Sequence, residues 1–205
     1  MIDNFIHVND SSMTSQECEQ LINLYEDNPK YHLKGSIIQR EDADCDLDKA
    51  KKCMEMFFKS EDLGNRDVLE PLSSALKKTI VQYVLRYPFL KQLTEWSTSH
   101  TFKMQKYLPD EAYFALHTEN TGHLDGVVDR RLIAWMVYLN DVTDGGETEF
   151  PTQEVKFKPK QGSMLLWPAY WTHPHRGLPS PTQVKYILTG WFSFIYPIYK
   201  KESNK

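Results

Sequence analysis

The chain has 205 residues, of which 40% are hydrophobic, 13% aromatic and 25% charged, and its net charge is −4. That much apolar material supports a real core and excludes disordered and collagen-like classes, while the acidic balance provides no global field to attract nucleic acid. The longest uncharged apolar stretch near the C-terminus, Tyr186 to Tyr199, is 14 residues, against the ~20 that a membrane span needs. Cys18, Cys45 and Cys53 show no C-x-x-C spacing, so reduced thiols in a cytoplasm are expected. The start, Met1-Ile2-Asp3-Asn4-Phe5, has neither a basic nor an apolar leader region, so no secretory signal is expected.

The length suits one domain, residues 1–205, with helical support over 1–95 and a strand-built core over 96–199. A first helix is predicted after Ser15 as cap, with Cys18, Leu21, Ile22 and Leu24 at helical spacing and an end near Asn28-Pro29. A second is predicted over Leu47–Phe58. A third runs from about Asn65 to Arg86, with Val68, Leu72, Leu76, Ile80 and Val84 on its stripe; Pro71 sits in its first turn, or the helix starts later than Asn65.

After residue 100 the pattern becomes short runs of Val, Ile, Tyr, Phe and Trp between turn residues. Strands are predicted over Phe102–Leu108, Ala112–Glu119, Leu132–Asp141, Thr148–Phe150, Val155–Lys158, Ser163–Trp167 and Val184–Phe194. The breaks carry Pro109-Asp110, Gly145-Gly146 and Gln161-Gly162. A mainly β sandwich or barrel under an N-terminal helical layer follows.

The histidines carry the chemical signal. His7, His32 and His100 have no ligand-type neighbours and read as ordinary residues. His117-Thr118-Glu119 ends an alternating run, and residues two apart on a strand share a face. A histidine from another strand would complete two histidines and one carboxylate, a set that leaves open positions on Fe(II). His123-Leu124-Asp125 fits the same short pattern, but in a glycine-bounded loop. The distal histidine is His173 or His175. Lys185 shares a strand face with Ile187, Thr189 and Trp191: either it stands at the strand's open end with its amine in water, the reading the residues alone favour, or it is buried, where an ammonium needs a permanent anionic partner.

Five segments then follow in order: Arg131 to Asp141; Gly145-Gly146-Glu147-Thr148-Glu149-Phe150-Pro151; Lys158 to Pro168; His175-Arg176-Gly177; and Lys185 to Trp191. This series resembles the prolyl-4-hydroxylase-like branch of the Fe(II)/2-oxoglutarate-dependent oxygenases, in its compact bacterial and viral form. The resemblance covers about residues 100–195.

It implies a double-stranded β-helix, or jelly roll, with N-terminal supporting helices. It implies an enzyme that couples oxidation of 2-oxoglutarate by O2, to succinate and CO2, to hydroxylation of a C–H bond, with ascorbate as a helper. By the same resemblance the iron ligands are His117, Glu119 and His175. A tyrosine ten residues before His117, Tyr107, favours that pair over His123 and Asp125. The ten-residue step from His175 to Lys185 favours His175 over His173. Glu119 departs from the family's commoner aspartate by one methylene. Lys185 would take the distal carboxylate of 2-oxoglutarate, with Tyr138, Tyr107 and Thr189 in the same pocket. Arg131 and Trp191 would face the substrate, expected to be a proline in a peptide or protein. Another amino acid or a nucleobase remains open, as does a cupin-like metal-binding module, though such a module has no use for Lys185 and Tyr138 in one pocket.

Overall fold

In the computed structural model, residues 3–36, 47–65, 67–122 and 128–195 are described below. The strands are β1 (His7–Asn9), β2 (Leu33–Lys34), β3 (Met54–Lys59), β4 (Trp96–Thr98), β5 (Thr101–Tyr107), β6 (Arg131–Tyr138), β7 (Thr148–Phe150), β8 (Val155–Phe157), β9 (Met164–Pro168), β10 (Arg176–Gly177) and β11 (Lys185–Phe194). The α-helices are α1 (Ser15–Glu26), α2 (Leu47–Ala50), α3 (Asp62–Asn65) and α4 (Glu70–Arg86).

Two antiparallel sheets face each other. The larger runs β1-β9-β6-β11-β5-β3-β2, with β4 also on β11; the smaller runs β10-β7-β8. This is the jelly-roll arrangement of mainly β proteins with helices on one side. Strand alternation separates two cores. On the outer face of the large sheet, Phe102, Met104, Ile133, Trp135, Val137, Leu188 and Phe192 meet Leu21 and Tyr25 of α1 and Leu72, Leu76 and Tyr83 of α4. On the inner face, Ala134, Met136, Tyr138, Leu165, Trp167, Ile187 and Trp191 pack toward Phe150 of the small sheet. Each strand therefore presents apolar residues on both sides, which explains the near-continuous hydrophobic runs of β6 and β11.

Several predicted boundaries move. Thr14, not Ser15, caps α1: its side chain accepts from the Glu17 amide while Glu17 reaches back to the Thr14 amide. The predicted helix over residues 47–58 is instead one helical turn, α2, followed by β3. The β-prone Met56, Phe57 and Phe58 follow the bend, and pairing with β5 supplies β3's backbone partners. Residues 112–119 form no regular strand; they touch their neighbours through the isolated bridges Lys51–Tyr113 and His117–His175. The third helix starts later than Asn65, at Glu70 after a 3-10 turn at Asp67–Leu69, which puts Pro71 in its first turn, and it ends at Arg86 as expected. Cys18 and Cys53 are free buried thiols; Cys45 lies outside the described residues. Among the described residues no helix is long and apolar enough to cross a membrane.

Candidate active site

A cavity opens between the two sheets, and the inner faces of β5, β6 and β11 form its floor. His117 and His175 reach it from segments that pair back to back, each amide donating to the other's carbonyl at 3.0 and 2.9 Å. The Nδ1 atom of His117 bonds the Ala115 carbonyl at 2.9 Å, and that of His175 bonds the His173 carbonyl at 3.0 Å. A carbonyl only accepts, so each Nδ1 carries the proton and each Nε2 presents its lone pair. Both Nε2 atoms face Glu119 Oε1, His175 at 3.3 Å and His117 at 3.9 Å. Candidate ligand atoms of the three residues all lie within 4.8 Å of one another. Two neutral imidazoles and a carboxylate on one side of a point are the donor set of a facial triad, so these residues fit a divalent iron.

The second Glu119 oxygen is occupied. Trp191 Nε1 donates to Oε2 at 2.9 Å, and Arg131 Nη1 lies 3.4 Å from it while donating to the Glu119 carbonyl at 3.0 Å. The guanidinium carbon sits 3.6 Å above the Trp191 ring centroid. Burial alone would raise the Glu119 carboxyl; His175, then His117 and Arg131, hold it well below the usual carboxylate range, an effect the two imidazoles exert only when they carry a second proton. Burial and the neighbouring His175 bring the His117 imidazole down to about 3. Tyr113 stacks on His117 at 3.6 Å, and Phe150 and Trp167 flank His175 at 5.2 and 5.0 Å, which fixes both rings.

Lys185 begins β11 and is 4% exposed. Its ammonium donates to the Gly146 carbonyl at 3.0 Å and stands 4.9 Å above the Tyr107 ring. Burial, partly opposed by the charge of Glu147, brings it down to about 8. A buried ammonium with a single carbonyl acceptor suits an entering carboxylate. Tyr107 and Thr189 line the same cavity, their hydroxyls bonded to Gln105 Oε1 at 3.2 Å and the Trp135 carbonyl at 3.0 Å.

Tyr138 lies elsewhere than expected. Its side chain shares the inner face, but its hydroxyl donates to Thr148 Oγ1 at 2.7 Å and also lies 3.2 Å from the Phe157 carbonyl. Thr148, not Tyr138, lines the cavity. Trp191 lines it too, whereas Arg131 meets it through Glu119 and Trp191. His173 is held by Asn4 and Thr172 and contributes its carbonyl to orient His175. The alternative pair His123 and Asp125 lies outside the described residues.

The sequence reading missed a charged cluster on the same wall. Lys51, Lys103 and Gln105 line the cavity, and all three contact Oε1 of the buried Glu55. Lys51 and Glu55 are four apart in sequence, so they look like an ordinary helical pair, but α2 ends at Ala50, just before Lys51, and Glu55 is already in β3. Lys103 and Gln105 do carry a signal: they alternate with Phe102 and Met104 and share a face with Tyr107. Burial and then the charge of Lys51 lower the Lys103 ammonium. Burial would raise Glu55, but Lys103 and Lys51 hold it low.

Residues 102–193 match the family described as the 2OG-Fe(II) oxygenase superfamily. A protein of Acanthamoeba polyphaga mimivirus, named as a putative prolyl 4-hydroxylase, is 25% identical over 166 residues, covering 69% of each chain. The 2-oxoglutarate complex of a viral collagen prolyl hydroxylase from Paramecium Bursaria Chlorella virus-1 superposes with a TM-score of 0.69 at 21% identity, covering 93% of this chain and 97% of the other. A Trichoplax adhaerens prolyl hydroxylase, solved with a hypoxia inducible factor oxygen degradation domain peptide fragment, superposes with a TM-score of 0.68 at 18% identity, covering 93% and 84%.

Proposed function

We propose that this chain, a 2-oxoglutarate- and iron(II)-dependent oxygenase of the prolyl-4-hydroxylase-like branch, hydroxylates a proline residue of a peptide at a centre held by His117, Glu119 and His175. The observation that carries the reading is the convergence of two Nε2 atoms and one carboxylate oxygen in a cavity that also holds the buried ammonium of Lys185. When bound, iron(II) with 2-oxoglutarate and O2 supplies the oxidising power for C–H hydroxylation, with succinate and CO2 as by-products.

The chain's own residues position and shield. The backbone carbonyls of Ala115 and His173 keep both imidazoles in the ligating tautomer. Trp191 and Arg131 hold Glu119 Oε2, which turns Oε1 toward the imidazoles. Lys185 receives the distal carboxylate of 2-oxoglutarate over the Tyr107 ring, with Thr189 on the adjoining wall. Trp191 forms part of the wall that the substrate meets. The apolar Met136, Trp167 and Ile187 limit water around the reacting groups. The helices pack on the outer face of the sheet that carries the site, so we read residues 1–205 as one catalytic domain.

The proline substrate rests on the mimivirus relative and on the peptide complex of the Trichoplax neighbour. Proline-rich segments bring a preorganised extended conformation and bind at low entropic cost. The test is incubation of a panel of proline-containing peptides with enzyme, iron, 2-oxoglutarate and ascorbate. Mass spectrometry is expected to show one added oxygen on proline, matched by succinate release and lost in His175→Ala. Succinate release coupled to an amino acid or nucleobase, with no peptide oxidised, would overturn the proline assignment and leave the oxygenase standing.

A further inference from the structure

The inner face of the large sheet carries lysines at two separate places. On β5, Tyr107 stands opposite Lys185 and Lys103 stands opposite Thr189. Those two rows are four residues apart, about 13 Å at ~3.3 Å per residue. A 2-oxoglutarate molecule with its distal carboxylate on Lys185 therefore leaves the Lys103 end of the strip to something else. The Lys103 end is also where Glu119 and Trp191 meet, one strand pair nearer the end of β11.

The charges there do not balance. Lys103 is 14% exposed at its side chain, Lys51 2% and Glu55 fully buried. Both ammoniums contact one oxygen of Glu55, Lys103 at 2.8 Å, and Gln105 donates to that same oxygen. Two cations thus share one carboxylate, an excess of one positive charge. Glu119, the carboxylate on the cavity wall, favours the Lys103 ammonium through its charge, but its oxygens face the imidazoles and the Trp191–Arg131 pair, and the Arg131 guanidinium already answers that charge, so the excess of one remains. Lys51 makes a further bond to the Ser36 carbonyl at 3.2 Å. Lys103 donates to Glu55 and stands 5.6 Å from the Phe57 ring centroid; it lines the cavity, and an ammonium carries three donors, more than the Glu55 bond uses. A largely buried excess charge is costly unless an anion answers it.

We infer that Lys103, backed by Lys51 and Glu55, docks a carboxylate carried by the substrate, so that the proline to be hydroxylated lies beside an acidic group. This rests on the proline reading above and narrows it. One excess charge suits a monoanion. The carboxylate has two possible sources, the terminal carboxylate of a C-terminal proline or an acidic side chain next to an internal one.

Two peptide pairs separate these sources on the unaltered enzyme: a C-terminal proline as free acid or amide, and an internal Pro-Glu or Pro-Gln. Oxygen gain on proline is followed as a function of peptide concentration. The charged member of one pair is expected to show a KM at least about tenfold lower, the order of a charge-assisted contact, and the responding pair identifies the source. In Lys103→Gln, confirmed as folded by its melting curve, that advantage is expected to disappear while the KM for 2-oxoglutarate stays unchanged. Lys103→Met is the second variant, for the case in which Gln rebuilds a bond to Glu55. Equal KM values within both pairs would overturn this inference and leave the proline reading intact, as would a loss of 2-oxoglutarate affinity in Lys103→Gln equal to the loss for peptide. If no proline peptide gains oxygen while another substrate class couples to succinate, both readings fall.

Discussion

Trp191 donates its indole N–H to Oε2 of Glu119 at 2.9 Å, and this bond links the far end of β11 to the carboxylate of the proposed metal centre. It divides the carboxylate's two oxygens: Oε2 faces the indole and the Arg131 guanidinium, while Oε1 faces both imidazoles. Groups that orient a ligand in this way are commonly worth about 10–100-fold in metal affinity. Trp191→Phe keeps an aromatic ring beneath Arg131 and removes the donor together with part of the ring. It is expected to weaken binding of manganese(II), a redox-inert stand-in for iron, by that factor, and to lower the melting temperature of the metal-free protein by about 3–12 °C, in line with loss of one hydrogen bond to a charged group. Unchanged metal affinity would mean that Arg131 alone orients the carboxylate.

Lys185 gives a prediction with opposite signs for stability and function. Its ammonium releases its proton near 8 in the folded chain against 10.5 for an ordinary lysine. Between those values the unfolded chain holds the proton and the folded chain does not, so this group makes stability rise as pH increases from 8 to 10.5. Below 8 the full cost is present, roughly 3 kcal/mol in favour of the unfolded chain. Lys185→Met removes that cost and leaves the Gly146 carbonyl without its donor, a loss of about 1 kcal/mol. The net gain of about 2 kcal/mol corresponds to a ligand-free melting temperature about 4–8 °C higher at pH 7. The same variant should raise the KM for 2-oxoglutarate at least about tenfold. For the unaltered enzyme, 2-oxoglutarate affinity should be flat below pH 8 and weaken above it, by up to about tenfold per pH unit. Calorimetric titration from pH 6.5 to 9.5 with manganese(II) present checks both.

What could be read from the sequence came from strand-face alternation together with the family resemblance. His117, Glu119 and His175 do converge, and Lys185, Tyr107, Thr189 and Trp191 do line one cavity. The route differs from the expectation for His117 and Glu119, which stand on irregular chain anchored by the His117–His175 bridge and not on a strand. Periodicity could not show that bridge, because it is a pairing of residues 58 positions apart. Tyr138 falls on the face that alternation predicts, but its hydroxyl is taken by Thr148, whose own position depends on where β7 docks. The Lys51–Glu55–Lys103 cluster was hidden for a related reason. Its two halves lie on β5 and on a helix-to-strand junction that reads as continuous helix until β5 pairs with β3.

Gly190 tests the packing beneath the site. It lies on β11 opposite Trp135, and an added Cβ would collide with the Trp135 ring and come within 2.9 Å of the Phe102 Cβ. Trp135 is fully buried, and the Phe102 atom is fixed to backbone, so neither yields easily. Gly190→Ala is expected to destabilise by about 1–3 kcal/mol through overpacking, seen as a lower urea midpoint with an unchanged slope. Because Thr189 and Trp191 flank it on the cavity side, metal affinity should fall in the same variant; a stability loss alone would mean that the strain is absorbed on the helical side.

The length of Glu119 is itself testable. Its carboxylate is anchored on one side by Trp191 and Arg131 and meets His175 Nε2 at 3.3 Å on the other. Glu119→Asp keeps the charge but withdraws the carboxylate by one methylene, more than the roughly 0.5 Å tolerance of a preorganised site. The aspartate cannot hold both sets of contacts from the same backbone position. If it keeps the indole bond it moves away from the imidazoles, and metal affinity should drop by at least about tenfold. If it keeps the metal, Trp191 loses its acceptor, which tryptophan fluorescence would register as a shift in the emission maximum. Manganese(II) titration with fluorescence readout separates these two outcomes. Unchanged affinity together with unchanged emission would show that residues 117–119 slide freely, which the paired amide bonds between His117 and His175 argue against.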